Sequence, residues 1–304
     1  MYFKKIFLVI ITASFSIITL AQNKVTDSTA TVLGYWKKGE KISLAFKVRK
    51  QKFKDNVSTN DNTSSYTVNI TVVAESPESY TLEWKSTGIK VSGTDANNPV
   101  VGKYAALAEG LTMRYKTDAN GTFQELLNWQ EVQKFTYATV DRIFAGMNTP
   151  EIQKAIETTK KMFSTKESIE QVTAKEVQLY HSLYGGEYKL KEKITGETQL
   201  PNFLGGAPFD AIINIEMTSL DPQANTCDIS VSQQLDKEKV TNALSEWIKK
   251  MSNGKETSIP EVNIADNSEY KVDLRTGWMK AVKYKREVIS DNRKNIDSTE
   301  ITQL

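Results

Sequence analysis

Alternation of apolar and polar residues is the feature of this sequence that most constrains its fold. In the segment EKISLAFKV, Ile42, Leu44 and Phe46 occupy every second position, and a later segment repeats the pattern with Val68 and Ile70. Successive side chains of a β-strand point to opposite faces, so this period predicts strands with one buried and one solvated face. Such strands are typical of antiparallel sheets, because strands of parallel sheets are apolar on both faces.

A second periodicity occupies the middle of the chain. Residues 128–185 repeat apolar side chains at spacings of three and four, which predicts helices, and Pro150 suits the first position of one of them. Another amphipathic helix is predicted at 236–252, and the polar stretch at 55–64 predicts a loop. The predicted fold class is therefore α+β, with antiparallel β-sheets and a central helical insert.

One phrase occurs twice, once in each β-rich part of the chain. YKTDANGTF begins at Tyr115 and YKVDLRTGW begins at Tyr270. Each predicts a strand, a turn containing Asp and Gly, and a return strand that starts with an aromatic residue. The order of strands and helices around the two phrases is also alike, which favours duplication of a β unit. Chance similarity between two common hairpins is the alternative.

The start of the chain has the pattern of a signal peptide. Lys4 and Lys5 precede an apolar stretch, and the small residue Ala21 stands before Gln22. The apolar stretch is shorter than the ~20 residues that span a bilayer as a helix. We therefore expect cleavage near Ala21, export to the periplasm or beyond, and no transmembrane segment in the mature chain.

These observations together predict the organisation of the chain. Two similar β units, half-barrel-like in form, would surround one helical insert. The expected parts are a signal peptide at 1–21, a flexible N-terminus at 22–30, a first β unit at 31–127, the insert at 128–185, and a second β unit at 186–304 that contains helix 236–252.

The charge balance argues against nucleic acid as a partner. The full sequence has a net charge of +2, and Lys4 and Lys5 supply two positive charges in the signal segment, so the cleaved chain has 2 − 2 = 0. Binding to nucleic acid depends on an excess of cationic side chains. The basic stretches at 47–54 and 283–287 are interpreted as solvated strand faces.

Few residues suit catalysis or metal binding. His181 and Cys227 are the only His and Cys of the chain, which argues against zinc, and a surface or capping role for His181 and a core role for Cys227 are expected. A calcium loop counted from Asp118 would need Glu at its twelfth position, where Trp129 stands. We therefore expect no cofactor, no metal site and no catalytic residue.

Paired carboxylates are the remaining catalytic candidate. Asp210 and Glu216 share one face of a predicted strand. Six residues of strand separate them by roughly 20 Å, which is too far for the two-carboxylate site of a glycosidase.

Aromatic residues on the apolar faces of the predicted strands are the best candidates for ligand contacts. They could line a concave sheet, although aromatic residues on such faces also form ordinary cores. The candidate ligand-binding residues are Phe46, Tyr80, Trp84, Trp278 and Tyr284.

The chain resembles known exported proteins at two levels. The signal ending LAQ, the GEKISLAFKV opening, the two hairpin phrases and the closing EVISDNRKNIDSTEITQL resemble a β-rich exported family of Bacteroidota that has no assigned activity. At the level of fold, an antiparallel sheet over helices is similar to the lipoprotein-carrier (LolA-like) half-barrels. The resemblance implies an envelope location and transfers no site residues, since fold does not fix function.

Three functions follow as hypotheses. The leading one is a non-enzymatic binding protein that holds a hydrophobic small molecule or lipid in a concave sheet. The alternative is a structural or adhesion-like envelope module that binds other envelope proteins through an apolar patch or an open sheet edge. The third is a hydrolase with clustered acids.

Overall fold

The computed structural model describes residue 26 and residues 28–200, 209–251 and 262–304, so the predicted signal peptide lies outside the described residues. The described strands are β1 (Thr29–Thr31), β2 (Lys41–Lys54), β3 (Val57–Ser76), β4 (Ser79–Gly93), β5 (Thr112–Asp118), β6 (Phe123–Leu126), β7 (Glu187–Lys189), β8 (Lys193–Leu200), β9 (Phe209–Asp221), β10 (Thr226–Leu235), β11 (Val262–Asp273), β12 (Trp278–Ser290) and β13 (Arg293–Gln303). The described helices are α1 (Pro99–Ala108), α2 (Trp129–Ile143), α3 (Pro150–Met162), α4 (Lys166–Thr173), α5 (Lys175–His181) and α6 (Lys237–Met251).

Eleven of these strands form one antiparallel sheet, in the order β6-β5-β4-β3-β2-β13-β12-β11-β10-β9-β8. The strands β1 and β7 pair separately. The prediction of a large antiparallel sheet with helices is confirmed, and the two predicted β units lie side by side in this single sheet. They are joined where β13 pairs with β2, as in the pair Ile301 and Phe46. The sheet is open, with β6 and β8 at its edges.

The predicted loop at 55–64 is wrong for most of its length. Strand β2 continues to Lys54 and β3 begins at Val57, so only Asp55 and Asn56 turn. Both have positive φ, 50° and 62°, as a two-residue hairpin turn of type I′ requires. The stretch lacks alternation because its side chains are largely exposed or half-exposed, so no buried face imposes a period.

Most of the core lies on one face of the sheet, called here the inner face, which carries Phe46, Val68 and Trp84. The predicted insert forms α2 to α5, and α5 lies on this face with Val177 and Tyr180 buried. A smaller apolar cluster lies farther along the same strands, where α6 packs on β9 and β11. None of the described helices, α1 to α6, is long and apolar enough to span a bilayer.

The two copies of the repeated phrase form the hairpins β5–β6 and β11–β12, and both hairpins meet one irregular segment, residues 32–36, called here the strap. Gly34 of the strap donates its N–H to the carbonyl of Asn120 at 2.7 Å. At the other hairpin, a Cβ atom on Gly277 would collide with the carbonyl oxygen of Leu33. The order of elements repeats around the hairpins, and the duplication itself stays a prediction.

Candidate ligand-binding face

Two of the five predicted ligand contacts lie inside the packed core. Phe46 and Trp84 are each 2% exposed. Phe46 stacks on Tyr66 with ring centroids 5.1 Å apart, and Trp84 meets Tyr180 of α5 edge to face at 6.2 Å. The two rings thus pack against other aromatic side chains, although we expected them to contact a ligand. Their role in ligand binding stays a prediction.

Two further predicted contacts pack against Trp36 of the strap. Trp278 stacks on Trp36 with ring centroids 4.5 Å apart, and Tyr80 meets it edge to face at 5.2 Å. The Tyr80 hydroxyl also donates to the carbonyl of Gly34 at 3.1 Å. Trp36 of the strap therefore fills the space between Tyr80 of β4 and Trp278 of β12. Burial alternates along the strap up to Trp36, but the intervening Leu33 and Tyr35 are also apolar, so the sequence shows no alternation of apolar and polar residues there.

Tyr284, the fifth predicted contact, belongs to a polar group on the inner face. Its hydroxyl donates to Asp266 Oδ2 at 3.1 Å, and Arg286 donates to both oxygens of the same carboxylate at 2.7 and 2.6 Å. The Lys175 ammonium, at the start of α5, lies 5.5 Å from the centroid of the Tyr284 ring. Burial, followed by the nearby Asp266 carboxylate, raises the pKa of Tyr284, so its hydroxyl stays protonated as a donor.

Arg286 corrects the interpretation of 283–287 as a solvated strand face. Lys283 and Lys285 point outward, but the Arg286 side chain is 26% exposed and the carboxylate of Asp266 only 6%. The hydrogen bond to Asp266 raises the pKa of Arg286. The pairing joins two strands, so the sequence could indicate it only once the register of β11 against β12 is known.

Residues opposite one another on neighbouring strands project from the same face, so the strand register places the polar group in two rows across the inner face. The two rows together are called here the inner strip. The first row is Ile194, Ile215, Val231, Ser268, Tyr284, Thr299 and Val48. The second row is Ile213, Gln233, Asp266, Arg286, Asp297 and Lys50.

The inner strip lies between the two apolar clusters of the inner face. The row before it belongs to the large core with Tyr270 and Val282, and the row after it belongs to the cluster that α6 covers, with Leu235 and Ile264. Several side chains of the strip are only half-buried, among them Ile213, and Lys50 is exposed. The strip is thus a partly exposed band of the inner face, between the part that α5 covers and the part that α6 covers.

The two ends of the strip differ in chemistry. On β8, β9 and β10 its side chains are mostly aliphatic, and Ile194 at the edge is 43% exposed. On β11, β12, β13 and β2 the second row alternates in charge, from Asp266 through Arg286 and Asp297 to Lys50. One end of the strip can therefore contact an apolar group and the other a polar one.

The residues considered for catalysis lie elsewhere. His181 is buried, where its Nδ1–H donates to the carbonyl of Gly121 at 2.8 Å and its Nε2 accepts from the Tyr115 hydroxyl at 2.9 Å. The surface or capping role expected for it is therefore wrong, because it ties α5 to the β5–β6 hairpin. Burial lowers the pKa of His181 to about 4 and raises that of the buried Cys227 to about 12.

The acids considered for hydrolysis occupy the other face of β9. Asp210 forms an ion pair with Lys239, and Glu216 lies opposite Lys193 across the strand pair. Two depressions also open on that outer face, of about 430 Å³ beside Arg49 and about 280 Å³ beside Glu216. Within the described parts of the chain, no group of three or more His, Cys, Asp or Glu side chains could hold a metal ion.

Comparison of the chain with protein-family models and with curated proteins finds no match. Among solved structures, one of lipid–protein interactions in lipovitellin aligns with 88% of this chain at 9% identity and a TM-score of 0.43. The chain spans 25% of the length of that structure. A likeness of this size assigns neither a fold nor a function.

Proposed function

We propose that this protein is an exported, non-enzymatic binding protein that holds a hydrophobic ligand or lipid against the inner face of its sheet. The observation that supports the proposal is the inner strip, where aliphatic side chains such as Ile213, Ile215 and Val231 stay half-buried between two packed clusters. Contact with an apolar ligand would remove that surface from water, which yields about 25 cal/mol per Å².

The strip suits binding better than the predicted aromatic residues do. Phe46, Trp84 and Trp278 already bury their rings against other side chains, so a ligand would have to displace a packed core. The strip needs no such rearrangement at its apolar end, because the side chains of Ile213, Ile215 and Val231 are already partly exposed. Tyr284 is the one predicted contact that the strip includes.

Neighbouring isoleucines on β9 provide a matched test. Ile213 lies on the inner strip, whereas Ile212 points to the outer face and is 54% exposed. The protein would be purified without the signal segment and titrated with cis-parinaric acid, a fluorescent fatty acid. We expect Ile213→Glu to weaken binding at least about tenfold, because it puts a charge on the apolar end.

Ile212→Glu is the control and should bind like the parent protein. Equal loss in both variants, with both folded by circular dichroism, would point away from the inner face. If no acyl-chain molecule binds the parent protein, the binding function fails and the envelope module becomes the leading function.

Export is part of the proposal and rests on the signal pattern of residues 1–21. Fractionation of cells that express the full sequence tests it. We expect a shortened chain that begins at Gln22 in the periplasmic or extracellular fraction. A full-length chain retained in the cytoplasm would contradict the proposal.

A further inference from the structure

We propose that the ligand of the inner strip is a single-chain amphiphile with an anionic head group, held with its head toward β2 and β13 and its chain toward β8. This inference rests on the proposed function and adds the chemical class of the ligand and its direction. It is argued from the charges at the polar end, the side chains at the apolar end and the distance between them.

The charge at the polar end is the first argument. Asp266 is already matched by its two hydrogen bonds from Arg286. Lys50, in the same row, is exposed and has no ion pair with any described residue. Its two acidic neighbours are Asp297, opposite it on β13, and Glu176 of α5, which is close enough for an electrostatic interaction with Lys50.

Further cationic groups continue along the inner face from Lys50. Lys52 and Lys54 follow at every second position of β2, and Arg293 lies opposite Lys54 on β13. With Lys175 from α5 these make five cations, none of which forms an ion pair within the described chain, beside the four acids Asp297, Glu176, Asp55 and Asp291. Burial also raises the pKa of Glu176, which lowers its share of negative charge. The polar end therefore favours an anion.

The side chains at the apolar end indicate that the rest of the ligand is a hydrocarbon chain. Ile213, Ile215 and Val231 lie on β9 and β10, and Ile194 extends the aliphatic surface to the sheet edge. On β10 and β9 the second row consists of Gln233 and Ile213, so Gln233 is its one polar side chain there. A hydrocarbon chain that crosses β10 and β9 would therefore meet almost continuous apolar surface.

The distance between the two ends fits one acyl chain. Neighbouring strands lie about 4.8 Å apart, so β13, at the head-group end, and β10, which carries Val231, are separated by roughly 14 Å. Half of the ~30 Å hydrocarbon core of a bilayer, about 15 Å, is the reach of one acyl chain. A chain of this length that starts beside β13 can thus reach the aliphatic side chains of β10.

Displacement of bound cis-parinaric acid by three sixteen-carbon probes tests the head group. The probes are palmitate, hexadecanol and hexadecyltrimethylammonium, which have similar hydrocarbon chains and head groups of charge −1, 0 and +1. We expect palmitate to displace at about tenfold lower concentration than hexadecanol, the cation to be weakest, and the difference to shrink at high salt. Hexadecyl phosphate as a fourth probe distinguishes a carboxylate from a phosphate ligand.

Charge reversal on one strand supplies the matched variants. Lys50→Glu with Lys52→Glu should weaken palmitate about tenfold and leave hexadecanol unchanged, while Lys47→Glu on the outer face of β2 should change neither. Equal displacement by all three probes would overturn the anionic head group and leave the binding function standing. Absence of binding by every probe would remove the binding function as well.

Discussion

Arg286 and Asp266 form a bidentate pair across β11 and β12, with donor–acceptor distances of 2.7 and 2.6 Å, on a face that also carries the hydroxyl of Tyr284. The carboxylate is almost fully buried, and Arg286 is its ion-pair partner. The pair fixes the polar end of the inner strip and separates the two apolar clusters of the inner face.

Removing one member of the pair should destabilise the protein more than removing both. Arg286→Met leaves Asp266 buried without its cation, and we expect a loss of about 3 to 5 kcal/mol in the free energy of unfolding. The double variant Arg286→Met with Asp266→Leu should recover most of this loss. Urea denaturation monitored by tryptophan fluorescence measures both, and a double variant as unstable as the single one would contradict the expectation.

His181 should make the protein less stable in acid. Its pKa is about 4 in the folded state and near 6.5 when unfolded, so the unfolded chain binds the additional proton first. The stabilisation is complete above about pH 6.5 and is lost as pH falls toward 4, by roughly 3 kcal/mol in total.

Because the chain has a single His, a variant isolates this contribution. In His181→Phe, the slope of unfolding free energy against pH between 4 and 6.5 should fall by nearly one proton, whatever its absolute stability. An unchanged slope would mean that carboxylates alone cause the acid sensitivity.

Gly277 should tolerate no side chain. Its φ is +71°, and a Cβ atom there would meet the backbone of the strap at Leu33 and Tyr35. Gly39 is a matched control, with φ of +91° and no heavy atom within 4 Å of such a Cβ. Gly39→Ala should cost about 1 kcal/mol through backbone strain alone, and Gly277→Ala clearly more. Equal melting temperatures for the two variants would argue against the contact.

Cys227 should be inert in the folded protein. It is 1% exposed and burial raises its pKa to about 12, so the thiolate that reacts with disulfide reagents is scarce. With Ellman's reagent at pH 8 we expect little reaction until denaturant is added, and then one thiol per chain. Rapid labelling of the native protein would show that the strand around Cys227 opens readily.

The sequence predicted what depends on local pattern and missed what depends on register. Ile42, Leu44 and Phe46 alternate because one face is buried, so their strand was evident. Trp36 is fully buried in an irregular segment, where the apolar Leu33 and Tyr35 hide the alternation of buried positions. The contact of Arg286 with Asp266 requires the alignment of two strands, which alternation alone does not specify. The inner strip is defined by the register of its strands, so the sequence pattern alone did not predict it.

The pairing of β13 with β2 has a consequence for how the chain is made. The strand β13, in the middle of the sheet, is synthesised after all the other described strands, so β2 and β12 each present an unpaired edge until it is made. Contacts between such distant segments form slowly. This order delays the joining of the two parts of the sheet until β13 has been made.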